Sequence, residues 1–126
     1  MTEYVLAEND RYWWPIVVRV PDPENAGKLL IQRFEMQFEP LDQDEVMKQD
    51  EILAQITDPA ERIQHEREQL RRICTNWRKG PVDRSKQQIP FTEENFNAAL
   101  QKAWFRMAVY TALNDSQLGR EAKLGN

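Results

Sequence analysis

Two periodicities organise this chain. Between Gln32 and Glu39 the apolar residues Phe34, Met36 and Phe38 alternate with Arg33, Glu35, Gln37 and Glu39. A period of two places the apolar set on one face of a β-strand and the charges on the other. Upstream, YWWPIVVRV at 12–20 is aromatic and β-branched, which suits a pleated, partly buried surface, and the turn formers of PDPENAG follow it. Two strands with so short a link predict an antiparallel hairpin, with Pro15 confining the first strand to an edge or a bulge. A hairpin alone is only marginally stable, so helices, further strands or a second subunit must cover its apolar face.

Helical spacing takes over after Leu41. Asp42 with Glu45 forms a capping-box pattern, and Val46, Met47, Leu53 and Ile56 give an apolar stripe, which predicts a first helix. Asp58, Pro59 and Glu61 repeat the start signal for a second helix running to about Trp77, with Ile63, Leu70, Ile73, Cys74 and Trp77 as a narrow seam among charges. Gly80 and Pro81 end it, and a polar connection follows. Phe91, Thr92 and Phe96 then have the spacing of a hydrophobic staple around a cap. A third helix is predicted from there, its core face formed by Phe96, Leu100, Ala103, Met107 and Tyr110 and widened by Ala99, Trp104, Ala108 and Thr111. The expected architecture is α+β, an N-terminal antiparallel hairpin or small sheet followed by three helices. Residues 1–113 make one domain and 114–126 a flexible tail.

Composition narrows the function classes. The 126 residues are 40% hydrophobic and 30% charged, the balance of one soluble globular domain, and a net charge of −4 argues against a general binder of nucleic acid or anionic membrane. No apolar run reaches the length of a membrane span, and MTEYVLAEND has neither the cationic start nor the apolar stretch of a secretion signal. A cytoplasmic protein is expected. Cys74 is the single cysteine and reads as buried and inert; His65 is the single histidine and reads as a solvated helix residue. The two lie about 13 Å apart along one predicted helix, too far for a nucleophile–base pair. With one histidine and one cysteine no metal site is expected, the four isolated glycines argue against a phosphate-cradling loop, and no cofactor is expected. The reading is therefore a non-enzymatic binding protein. Trp13 and Trp14 cannot both point inward from a regular strand. With Tyr12, and with Ile63 and Leu70 on the projecting second helix, they are the candidate partner-binding residues.

Several motifs, in order, resemble the phage tail assembly chaperone family of long-tailed phages and prophages. RFEMQFEPLDQDEV, with Phe34 and Phe38, resembles the family's alternating Phe-rich strand running into a helix start. Trp77, Gly80 and Val82-Asp83, then a polar spacer and IPFTEENF with Phe91, Thr92 and Phe96, is similar to the pattern before the family's last helix. Lys79 and Pro81 lengthen the Trp77–Val82 interval, and the small-residue ending of closer relatives is absent. The resemblance implies a non-enzymatic chaperone in the host bacterial cytoplasm. It would bind the tape-measure protein, help recruit tail tube protein around it, and leave the finished tail. It also implies that a longer, frameshifted product can exist. A structural tail or head–tail joining component retained in the particle is the alternative. An edge strand leaves homo-oligomers open.

Overall fold

A computed structural model describes residues 2–122. Its described part is α+β: a three-stranded antiparallel sheet with four helices. Strand β1 (Tyr12–Pro21) pairs with β2 (Leu29–Phe38) as the expected hairpin, Ile16 opposite Phe34 and Tyr12 opposite Phe38. β1 is an edge strand, so Pro15 withholds no central ladder hydrogen bond. Helix α1 (Gln43–Gln55) and helix α2 (Pro59–Ile73) follow, then β3 (Cys74–Arg78), α3 (Glu93–Leu100) and α4 (Ala103–Gln117).

The second helix is shorter than its periodicity suggests. It stops at Ile73, and Cys74–Arg78 pairs with the free edge of β2, Met36 opposite Trp77 and Glu35 opposite Arg78. Leu70, Ile73, Cys74 and Trp77 fit helical spacing, yet a register shift at Gln37/Phe38 lets Cys74 and Trp77, three residues apart, both face inward from a strand. Helix and strand would each satisfy the segment's own backbone groups, but only the strand also pairs the open edge of β2.

The third predicted helix is two helices. Lys102 adopts an extended conformation (φ −93°, ψ 125°), and the Arg106 guanidinium donates to the Leu100 carbonyl (2.5 Å) at the end of α3. One extended residue re-phases everything after it. The buried face of α4 is Phe105, Ala108, Val109, Ala112 and Leu113, while Met107 (65% exposed), Tyr110 (42%) and Trp104 (38%), expected in the core, face outward. The helix also passes Asn114, where the tail was expected: Asp115 is buried, and the Ser116 hydroxyl lies 2.7 Å from the Tyr12 hydroxyl. Of the predicted tail, residues 123–126 lie outside the described residues.

The core fills the space between one sheet face and the helices. Ile16, Val18, Phe34, Met36 and Phe38 supply the sheet side, and Leu70, Phe96, Leu100 and the α4 stripe the helix side. α4 packs on β1, and α2 on β3 and α3. Helix α1 buries no residue; its Val46 and Met47 are exposed, and the expected side-chain caps at Asp42 and Asp58 do not form. Hydrogen bonds hold it to α2, including Arg72 Nη1 to Glu45 Oε1 (2.7 Å) and Arg62 Nη1 to the Leu53 and Ile56 carbonyls. His65 is not solvated as expected: it is half-buried in a crevice of about 180 Å³ with Asp50, Leu53 and Tyr110. Cys74 is buried as expected, and burial pushes its thiol far up, out of nucleophilic range at neutral pH.

The Thr92 cap does form. Its hydroxyl accepts the Asn95 backbone N–H at 3.0 Å, and the Phe91 and Phe96 rings lie 5.5 Å apart. Thr92→Ala is expected to cost about 1 kcal/mol in urea unfolding, with Thr92→Ser close to wild type; equal losses in both variants would assign the effect to something other than the cap.

Candidate functional site

The two faces of the sheet differ in chemistry. Even-numbered residues of β1 point toward the helices, and odd-numbered ones toward the other side. Trp13 therefore stands on the face that no helix buries. Its ring carries the Arg78 guanidinium 4.0 Å from the centroid, a contact worth ~0.5–1 kcal/mol at such a site. Beside it, Glu35 accepts from Arg78 Nε at 2.6 Å and from Lys79 Nζ at 3.3 Å. The result is a cross-strand ladder of alternating charge ending on an aromatic ring.

That ladder titrates. The Arg78 hydrogen bond chiefly, with Lys79 adding to it, holds the Glu35 carboxyl below its ordinary value of 4.5 against a partial desolvation that opposes them. A carboxylate depressed in the folded state contributes stability above its unfolded pKa and loses it as pH falls through the folded one. Stability should therefore drop more steeply on acidification below about pH 4.5 in the wild type than in Glu35→Gln. Parallel pH–stability curves for the two proteins would show that the ladder contributes nothing.

Trp14, on the helix side, is half-buried; its ring meets Tyr12 edge-on at 6.2 Å, and Tyr12 in turn meets Phe38 at 5.8 Å. Tyr12 thus belongs to the join between β1 and the end of α4 rather than to a free surface. Leu70 is 3% exposed, a core residue and not the surface contact expected of it. Ile63 is 50% exposed on α2, and the structure does not bring it to either tryptophan. The five candidate partner-binding residues do not form one site. The structural motif residues do assemble: Trp77 stands among Phe34, Phe91 and Phe96, with ring centroids at 6.2, 5.1 and 6.2 Å, and its indole N–H donates to the Ile89 carbonyl at 2.7 Å.

A residue assigned to the core from sequence marks the most developed surface feature. Trp104, at the start of α4, lies between two grooves. The first, about 220 Å³, runs between α4 and the β1 edge and is walled by Trp14, Val17, Met107 and Ala112. The second, about 600 Å³, opens on the other side of the Trp104 ring, over the outer half of the hairpin and against the 79–86 segment. The hairpin continues past it: Val20 pairs with Leu30, which shares its face and is exposed, as are Leu29 and Ile31. Trp104 and Met107, three residues apart and both outward, form an apolar track along α4 with Trp14 as its opposite wall. The signal in the sequence was Lys102 between two apolar stripes, which reads as a phase change only once the helix break is known.

No helix among the described residues is long and apolar enough to cross a membrane. In comparisons with known proteins, no family model, no curated protein and no solved structure matches this chain.

Proposed function

We propose that this protein is a non-enzymatic tail assembly chaperone of a long-tailed phage or prophage. It acts in the host bacterial cytoplasm, binds the tape-measure protein, and helps recruit tail tube subunits. The observation that carries the reading is the apolar track of Trp104 and Met107 with Trp14 across the groove. An amphipathic helix lays its apolar face into a groove of this kind by presenting side chains one turn apart, and a long apolar helical client needs such cover before it assembles. The motif order from Phe34 to Phe96 supplies the choice of client.

Co-expression with the tape-measure protein should raise that protein's soluble fraction and yield a co-purifying complex. Trp104→Ala with Met107→Ala should weaken that complex by about tenfold or more, the size of effect expected of central aromatic contacts. Both side chains are exposed, so folding stability should change by less than about 1 kcal/mol. A client equally soluble without its chaperone would reject the proposal. Mass spectrometry of finished particles distinguishes the retained structural component, which would be found there, from a chaperone, which would not.

A further inference from the structure

The larger groove beside Trp104 is basic, in a chain whose net charge is −4. Arg84, Lys86 and Lys102 line it against a single carboxylate, Asp83; Arg33 and Lys79 border it too, but the alternation along β2 puts Arg33 on the opposite sheet face, with Glu35 and the Lys79 ammonium that pairs with it. One oxygen of that carboxylate is engaged within its own turn: Asp83 Oδ1 accepts the Ser85 and Gln87 backbone N–H groups at 2.8 and 3.0 Å. Lys79 reaches Glu35, whereas Arg84, Lys86 and Lys102 make no ion pair among the described residues. Below the cations the wall is apolar, with Val18, Val20, Val82 and Phe105, and it continues onto exposed Leu30.

Backbone geometry adds an independent observation. Lys79 and Lys86 both adopt positive φ, 59° and 63°, a region where a side chain is disfavoured and glycine is at ease. Lys79 spends its charge on Glu35, on the opposite sheet face, whereas Lys86, in the turn closed by its N–H on the Asp83 carbonyl at 3.0 Å, keeps its charge at the groove at some conformational cost.

We infer that this groove docks an acidic amphipathic peptide segment of a partner protein. Its carboxylates would meet Arg84, Lys86 and Lys102, and its apolar side chains would lie on Val20, Val82 and the Trp104 ring. Complementary charge steers and selects such a partner, and the apolar floor holds it. A nucleic acid fits less well: the floor offers mostly aliphatic surface in place of stacking rings, and the acidic remainder of the chain repels a polyanion extending beyond the groove. This inference does not depend on the tail-chaperone reading, since any acidic amphipathic segment meets its terms.

The test is fluorescence anisotropy of the full chain with a labelled helical peptide of Glu, Leu and Ala, beside a counterpart in which every Glu is Lys. The acidic peptide should bind and weaken as salt is raised, and the basic one should not bind. Arg84→Glu/Lys86→Glu/Lys102→Glu should reduce acidic-peptide affinity by about tenfold or more, while Lys28→Glu/Lys48→Glu, outside the groove lining, should leave it unchanged. Circular dichroism establishes that the triple variant is folded; if it is not, the single variant Arg84→Ala must show a measurable loss. Failure of the acidic peptide to bind, or equal losses in both sets of variants, would overturn the inference. So would an oligonucleotide that displaces the peptide and binds more tightly, or a concentration-dependent dimer abolished by the groove variant, which would assign the groove to polyanions or to a second copy.

Discussion

Replacing Trp77 by alanine is expected to remove about 4 kcal/mol of folding stability, within the range for deleting a buried large aromatic side chain. Trp77 is 5% exposed and stands among four other rings, with Phe105 joining Phe34, Phe91 and Phe96 at 6.4 Å. Three of the four contacts are T-shaped with interplanar angles above 80°, a geometry that adds to simple area burial. The residue also joins pieces of chain distant in sequence: β3 through its backbone, β2 through Phe34, and the 89–91 segment through its indole N–H. A void there would loosen all three. Trp77→Phe should lose less, about 2 kcal/mol, because much of the ring contact survives and the Ile89 carbonyl keeps the Gln88 amide at 3.1 Å. Urea unfolding followed by far-ultraviolet circular dichroism measures both. A loss under about 1.5 kcal/mol for the alanine variant would show that the cluster repacks and that Trp77 does not organise it.

The second large effect is expected at Gly80. Its φ of +118° is one that a residue with a side chain rarely adopts, and an added Cβ would stand 3.1 Å from the Phe34 Cβ. Two costs therefore coincide in Gly80→Ala, backbone strain and a collision with a buried core residue, for an expected loss of about 3 kcal/mol. The backbone N–H of Gly80 is meanwhile fixed by Gln88 Oε1 at 2.7 Å, so the chain has little room to move away. Gly27 separates the two costs: it also has positive φ, +78°, but nothing within 4 Å of an added Cβ. Gly27→Ala should lose only about 1 kcal/mol. Similar losses at the two positions would mean that Phe34 yields and that the close approach is not a constraint.

These predictions fall on residues that the sequence marked without saying why. Trp77 and Gly80 read as the end of a helix and its stop signal; in the structure they are the last inward residue of a strand and a point of contact with β2. From the sequence, Gly80 and Pro81 end the second helix and a polar connection leads to the start signal at Phe91 to Phe96, so the stretch from Thr75 to Phe96 reads as helix end and link. It does lead from α2 toward the helices of the core, but its first residues are themselves part of the sheet. Of the surface features, Trp14 was legible as a candidate and lies beside Trp104. The basic groove was not legible, because its cations, Arg84, Lys86 and Lys102, are separated in sequence by a whole helix and meet only where the 79–86 segment borders the start of α4.

Sequence alone determined what depends on near neighbours. The alternation of Phe34, Met36 and Phe38 chose the buried face of β2, Pro15 chose an edge, and Thr92 with Phe91 and Phe96 chose where α3 begins. Each of these follows from a period of two or from a cap a few residues long. Tertiary structure decided what a local period cannot distinguish. Cys74 and Trp77 fit helix and bulged strand equally until the unpaired edge of β2 is present to accept hydrogen bonds. The stripe after Leu100 fits one long helix until a single extended residue at Lys102, with Arg106 closing the end of α3, rotates α4. That rotation sends Phe105 and Val109 into the core and turns Trp104 and Met107 out to the surface.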